Sequence, residues 1–338
     1  MKRFMIPLLA VMVSAVITGQ AHAQEAGPVL AFASYNVCKT NCSAPAPGWD
    51  IRRERVARVI TESGVDVIGL QEATWQPTAT AKTQMLDIQR LVAPAGYVAP
   101  QFSQTSNECA WTAADPHKCT HTAALLFRSS TVSQVPTPNG TPSAGVTFEG
   151  AIVQGLDQDS ASREVAWAYL RGLDGPGPFL ALSVHTTTFK DEAHEASRVA
   201  FANALTGWTQ AFNDQHGMSG VPVVLMADLN SYAMRQPMGG QRVLMEAGWV
   251  DSATALSRRN TTYSTINYNA LRGDTGFPLT PYVFRREATR IDYIMALGDV
   301  TPLDYEVVLH LTADGQFDPA YQGSDHQMIR TVLAFSGD

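Results

Sequence analysis

Val223-Val224-Leu225-Met226-Ala227-Asp228-Leu229-Asn230 is the stretch on which the fold turns. Its first four residues form a continuous apolar run of strand length, bounded upstream by Pro222, as expected of a strand buried on both faces. Asp228 and Asn230 follow, two positions apart. Side chains alternate across a strand, so these two face the same side and arrive together at the rim of a core. An Asp-x-Asn pair in that position either closes a turn or belongs to a site.

Other strand-like runs end the same way. Val29 to Val37 carries Asn36 near its end, Val65 to Leu70 leads into Gln71-Glu72, and Phe179 to Val184 leads into His185. Ile291 to Leu297 has Asp292 near its start, Tyr305 to Leu311 is a further strand-like run, and Asp325-His326 immediately precede the last strand, Gln327 to Phe335. Helical periodicity is expected over Arg52 to Ser63, stopped by Gly64, and over Thr78 to Val92, Asp191 to Phe212 and Pro237 to Ala247. Residues 133–147 are rich in Pro, Gly, Thr and Ser and read as a turn, with strands at 148–155 and 163–170 after it. About ten strands with few helices and hairpin-like connections imply an α+β fold: a four-layer α/β/β/α sandwich of two packed, mainly antiparallel sheets with flanking helices.

At 338 residues with 45% hydrophobic and 16% charged residues, the chain can bury a large core and is not a disordered polymer. Met1-Lys2-Arg3, the apolar run Phe4 to Ile17 and Ala21-His22-Ala23 read as a secretory signal peptide over residues 1–23, leaving one domain over 24–338 and a secreted or periplasmic location. Losing Lys2 and Arg3 would take the formal charge from −7 to −9, so attraction to nucleic acid or anionic lipid has to be local. Four cysteines, Cys38, Cys42, Cys109 and Cys119, imply two disulfides in an oxidising compartment. Of three connectivities, local pairing as Cys38–Cys42 and Cys109–Cys119 is expected. Cys109, His117, Cys119 and His121 are an alternative metal cluster, with a spacing that matches no common zinc pattern.

The strand-end residues suit one chemistry. Carboxylate oxygens are hard ligands for Mg²⁺, and histidines serve acid–base work near neutral pH. Together with Asn36, the motifs V-D-V-I-G-L-Q-E (65–72), S-V-H-T (183–186), V-V-L-M-A-D-L-N (223–230), R-I-D-Y-I (290–294) and G-S-D-H (323–326) resemble, in order, those of the endonuclease/exonuclease/phosphatase superfamily. The resemblance runs from about residue 29 to 335 and implies a metal-dependent phosphoric ester hydrolase, most simply a monomer. It implies Mg²⁺, with Mn²⁺ or Ca²⁺ as substitutes, at Glu72 with Asn36 and Asp325. Asp228 would orient or deprotonate the attacking water, and Asn230 would hold the phosphate or the metal-bound shell. His326 would pair with Asp292 and act as general base or phosphate ligand, His185 would stabilise the phosphorane or protonate the leaving oxygen, and Arg163 would approach the scissile phosphate.

Substrate is less legible, because this fold serves many functions. Residues 258–290 hold six arginines against Asp274 and Glu287, interleaved with Tyr263, Tyr268, Phe277, Tyr282 and Phe284. Such a tract can follow a phosphate backbone, so a nuclease acting on DNA first is expected. A sphingomyelinase-like phosphodiesterase or a small-molecule or inositol phosphatase is the alternative. The first of these wants an exposed apolar hairpin, for which Phe317 and Tyr321 are poor substitutes.

Overall fold

The computed structural model describes residues 27–42, 47–74, 76–101, 123–153, 156, 163–189, 191–232, 239–266 and 290–336. Two seven-stranded sheets form the body. The first runs in the order β11 (Ser257–Arg259), β13 (Val300–Val307), β14 (Ile329–Phe335), β1 (Val29–Asn36), β2 (Val67–Gln71), β4 (Ala124–Arg128), β3 (Tyr97–Val98). The second runs β10 (Val250–Asp251), β12 (Asp292–Leu297), β9 (Val223–Asp228), β8 (Phe179–His185), β7 (Glu164–Gly172), β5 (Val132–Gln134), with β6 (Ala144–Phe148) also paired to β7. Nine strand pairings are antiparallel and three, β1/β2, β8/β9 and β11/β13, are parallel.

Alternation sorts each central strand between two cores. Leu30 and Phe32 of β1 meet Val224 and Met226 of β9 between the sheets. Ala33 and Tyr35 face the other way, onto α1 (Trp49–Ser63) and α2 (Gln84–Val92). Val223, Leu225 and Ala227 face α4 (Glu192–Gln215) and α5 (Gly240–Glu246). The result is the expected helix–sheet–sheet–helix stack. Gly69 of β2 lets the sheets approach closely, since a Cβ there would lie 2.5 Å from the Met226 Cβ. Gly64 ends α1 in the left-handed conformation that its missing side chain permits, with φ 67°.

Three expectations need correction. The strand expected over 148–155 is not found at its start: Glu149–Ile152 is a helical turn, α3, and the strand β6 precedes it, almost wholly inside the segment read as a turn. The helix expected from Thr78 starts only at Gln84, because Thr83 accepts from the Leu86 amide as its N-cap. The strand expected over Tyr305 to Leu311 spans Val300–Val307. Cys38 and Cys42 form the expected disulfide; Cys109, Cys119, His117 and His121 lie outside the described residues. Among the described residues no helix is long and apolar enough to cross a membrane.

Candidate active site

The period-2 rule that divides the cores also aims the polar residues. Asn36 continues the Leu30–Phe32 parity of β1, Asp228 continues Val224–Met226, and Asp292 shares the parity of Ile294 and Ala296, all lining the gap between the sheets. Asp228 lies between two register partners, His185 on β8 and Asp292 on β12. The site therefore forms where the apolar filling stops at one end of the sandwich.

A buried polar layer makes the transition. The Gln71 amide nitrogen donates to Ser183 Oγ (3.1 Å) and to the Met226 carbonyl (3.2 Å), crossing from one sheet to the other. Ser34 Oγ donates to Gln71 Oε1 (3.3 Å), and Ser183 Oγ to the Leu70 carbonyl (2.9 Å). Every side-chain donor of this bridge is used, as burial requires. The bridge of Ser34, Gln71 and Ser183 was not read from the sequence; the available signal was a polar residue at an inward-facing parity in each of three strands.

Above this layer the side chains converge. Asn36 Nδ2 donates to Asp228 Oδ2 at 2.9 Å and reaches Glu72 Oε1 at 3.4 Å, while its Oδ1 accepts the Cys38 amide at 3.0 Å. The backbone N–H fixes the orientation of this carboxamide and leaves its oxygen one further lone pair. Glu72 Oε2 accepts the Lys39 amide at 3.0 Å. His185 Nε2 is 3.5 Å from Asp228 Oδ2 and 3.9 Å from Glu72 Oε1. His326 Nδ1 lies 3.0 Å from Asp292 Oδ2, and its Nε2 lies 3.8 Å from Asp228 Oδ2. Glu72, His185, Asp228, Asp292 and His326 thus share one pocket.

Three other expected residues sit around it. Asn230 donates its side-chain nitrogen to the Thr186 carbonyl (3.2 Å) and its backbone N–H to Asp228 Oδ1 (3.0 Å), so it braces the loops after β8 and β9. Asp325 is half-buried beside Ser324 and the Cys38–Cys42 disulfide. Arg163 is 3% exposed and donates to the His185 carbonyl at 3.3 Å. Glu72 and Asn230 both adopt left-handed backbone conformations, φ 57° and 46°. Such strain in residues with side chains concentrates at working sites.

The electrostatics are those of crowded acids. Burial and then the neighbouring Asp292 carboxylate push Asp228 up to about 7, against the stabilising pull of His326 and Asn36. Burial alone would lower His326, but Asp292 in contact, with Asp228 and Asp325 nearby, holds it well above the ordinary histidine range. Among the described residues no arginine or lysine forms an ion pair with Glu72, Asp228 or Asp292. Oxygen donors packed this closely, with one of them, Glu72, about a fifth exposed (21%), fit a hard divalent cation. The ligand atoms of Asp228, Asp292 and His326 all lie within 4.8 Å of one another.

The profile of the Endonuclease/Exonuclease/phosphatase family matches residues 33–326. The chain belongs to this family. Its members are hydrolases acting on phosphoester bonds. No curated protein sequence matches the chain. Solved structures show the same fold at low identity. A family protein from Bacteroides thetaiotaomicron is 18% identical, with 92% of this chain and 99% of that chain covered and a TM-score of 0.64. A mannosyl-6-phosphatase of B. thetaiotaomicron VPI-5482 is 17% identical (90% and 100% covered, TM-score 0.61). The human Nocturnin catalytic domain with bound sulfate is 16% identical (92% and 96% covered, TM-score 0.57).

The basic tract changes character in the structure. Arg290 is engaged by the Asp251 carboxylate (2.8 and 2.5 Å) and packs over the Tyr293 ring at 4.4 Å. Arg259 pairs with Glu306 at 2.7 Å. Arg272, Arg285 and Arg286 lie outside the described residues. Arg290 is therefore committed to holding the fold, while the exposed Arg259 is paired at the surface. Phe317 is buried and Tyr321 stacks on His310 at 3.8 Å, so neither supplies an exposed apolar hairpin.

Proposed function

We propose that the protein is a secreted or periplasmic divalent-metal-dependent phosphoesterase that hydrolyses phosphodiester bonds by in-line attack of water, with DNA as the first candidate substrate. The observation that carries this reading is the meeting of Glu72, His185, Asp228, Asp292 and His326 at one end of both sheets, within hydrogen-bonding or ion-pairing reach of one another. The leader-like start and the Cys38–Cys42 disulfide support export.

Mg²⁺, or Mn²⁺ or Ca²⁺ in its place, would be held by Glu72 with Asn36 and Asp325, where it would act as a Lewis acid toward phosphoryl oxygens. Asp228 accepts a hydrogen bond from the attacking water and orients it. Asn230 contributes to holding the phosphate, with Arg163 behind it fixing the end of β8. His326, held by Asp292 through Nδ1, presents Nε2 to the phosphate. His185 faces the same acids from β8 and supplies the proton or positive charge that the leaving oxygen needs.

A second reading, a phosphomonoesterase or small-molecule phosphatase, is favoured by the commitment of Arg290 to the buried Asp251 and the pairing of Arg259 with Glu306, which weaken the polymer-tracking surface. The mannosyl-6-phosphatase neighbour is consistent with it. The test is a panel run with Mg²⁺ and with EDTA on supercoiled plasmid, single-stranded DNA, RNA, sphingomyelin vesicles and phosphosugars. EDTA-sensitive nicking of plasmid is the expected result. Phosphate release from phosphosugars alone would move the assignment to the second reading, and no turnover of any of them would sink both.

A further inference from the structure

We infer that Arg52 is a positioning residue that locks together the two chain segments flanking the pocket, 36–39 and 323–326; this rests on the phosphoesterase reading above. Arg52 belongs to α1, in the outer helical layer, and is wholly buried. A buried arginine has to find acceptors for its donors. Five backbone carbonyls serve here: Nε donates to Pro47 (2.9 Å), Nη1 to Val37 (3.0 Å) and Gly323 (2.9 Å), and Nη2 to Cys38 (3.2 Å) and Lys39 (2.7 Å). A planar fork with five donors can do this; an ammonium with three cannot.

Four of these carbonyls, those of Val37, Cys38, Lys39 and Gly323, lie in the two segments that carry site residues; the fifth, Pro47, ties the arginine to the start of its own helix. The Lys39 peptide donates its N–H to Glu72, and the Cys38 peptide donates its N–H to Asn36 Oδ1. Gly323 leads into Ser324, whose hydroxyl donates to the Asn36 carbonyl (2.6 Å) and accepts the His326 amide (3.1 Å). Gln84 adds a second donor to the Cys38 carbonyl at 2.9 Å. One guanidinium therefore bears on the positions of Asn36, Glu72 and His326 without touching them. Its charge has a purpose too: Asp325 and Glu72 act on it through space, and burial pulls its pKa down only to about 10. The α2 side offers a contrast that serves as control. Arg53, the next residue, spends its guanidinium on the Asp87 carboxylate, away from the pocket.

The test compares Arg52→Lys, Ser324→Ala and Arg53→Lys with the wild type. Ser324→Ala breaks the relay to Asn36 and His326 while leaving the buried cation in place, so the inference stays open to refutation if Arg52→Lys does not fold. For both pocket-side variants we expect kcat to fall about 10- to 100-fold with KM within about 3-fold, since small misplacements of reacting groups cost rate rather than binding. Mn²⁺ affinity measured by calorimetry should weaken about 10-fold, as for lost outer-shell partners elsewhere. Amide hydrogen exchange at Cys38, Lys39 and His326 in Arg52→Lys, and at His326 in Ser324→Ala, should speed up at least about 10-fold relative to Ile60. Arg53→Lys should lower Tm and leave kcat and those amides alone. Unchanged exchange at all three amides, or full kcat in folded Arg52→Lys or Ser324→Ala, overturns the inference. A wild type that binds no Mn²⁺ and cleaves no phosphoester overturns the functional reading instead, because exchange is read without metal or substrate.

Discussion

A single buried carboxylate and a cluster of three sit on opposite sides of the first sheet, and their chemistry is opposite. On the helical side, Asp87 of α2 receives Arg53 at 2.7 and 2.6 Å, Trp49 at 3.0 Å, Thr80 at 2.9 Å and Arg90 at 2.9 Å. Burial alone would raise its pKa, yet the hydrogen bonds from Arg53, Trp49 and Thr80 hold it down at about 2. On the inner side, Glu72, Asp228 and Asp292 face one another with two histidines and an amide for company. The Asp87 cluster is a finished structural joint between α1 and α2. The pocket cluster carries negative charge that the chain itself leaves only partly balanced, which is how a protein makes room for a cation and a phosphate. A buried acid is informative through what surrounds it, not through its burial.

That contrast can be broken most directly at the histidines. His326→Ala and His185→Ala should each lower kcat by about 10²–10⁴ while the circular dichroism spectrum stays that of the wild type; near-normal turnover in either would remove the roles proposed for them. Next in size, Asp87→Asn should cost about 2–3 kcal/mol by stranding Arg53, read as a Tm drop of several degrees with kcat preserved. Asp228→Asn should do the reverse. It removes one of two like charges on adjacent strands, so the metal-free Tm should hold or rise while turnover disappears. A marked loss of Tm would show that Asp228, too, is structural.

Smaller effects sharpen the comparison. Asp87 has a folded pKa of about 2 against about 3.9 in an unfolded chain. The folded state therefore binds fewer protons, and the stabilisation is complete above about pH 4 and fades as pH falls through about 2. Urea titrations should show the wild-type advantage over Asp87→Asn shrinking across that window; a constant advantage down to pH 2 would contradict it. Smallest of all, Arg90→Ala should cost less than about 0.5 kcal/mol, because that arginine is 58% exposed and water screens its contact with Asp87.

Much of this was legible before any coordinates. Asn36, His185, Asp228 and Asp292 could be aimed at one gap because alternation in a strand is a hard geometric rule, and their strands were long and apolar. Other short strands were not legible: β10 has two residues, β5 and β11 three, too few to display any period. The strand β6 hid in a Pro/Gly-rich segment because Ala144–Phe148 is held by pairing to β7 rather than by its own propensity. Gln71 was read as a strand end beside the more conspicuous Glu72, and its bridge to Ser183 joins residues 112 apart, beyond any local pattern. Arg52 looked like one more charge on an amphipathic helix, since nothing in a helix sequence distinguishes a solvated arginine from one that gathers five carbonyls.

The left-handed backbone at Glu72 and Asn230 has a practical corollary. Glycine would relax either position by roughly 1 kcal/mol or more. A laboratory selection that rewards heat resistance and ignores turnover should therefore drift toward glycine at 72 and 230, enriching sturdy proteins with a vacant pocket. Screens for hardier forms of this hydrolase ought to hold both positions constant from the first round.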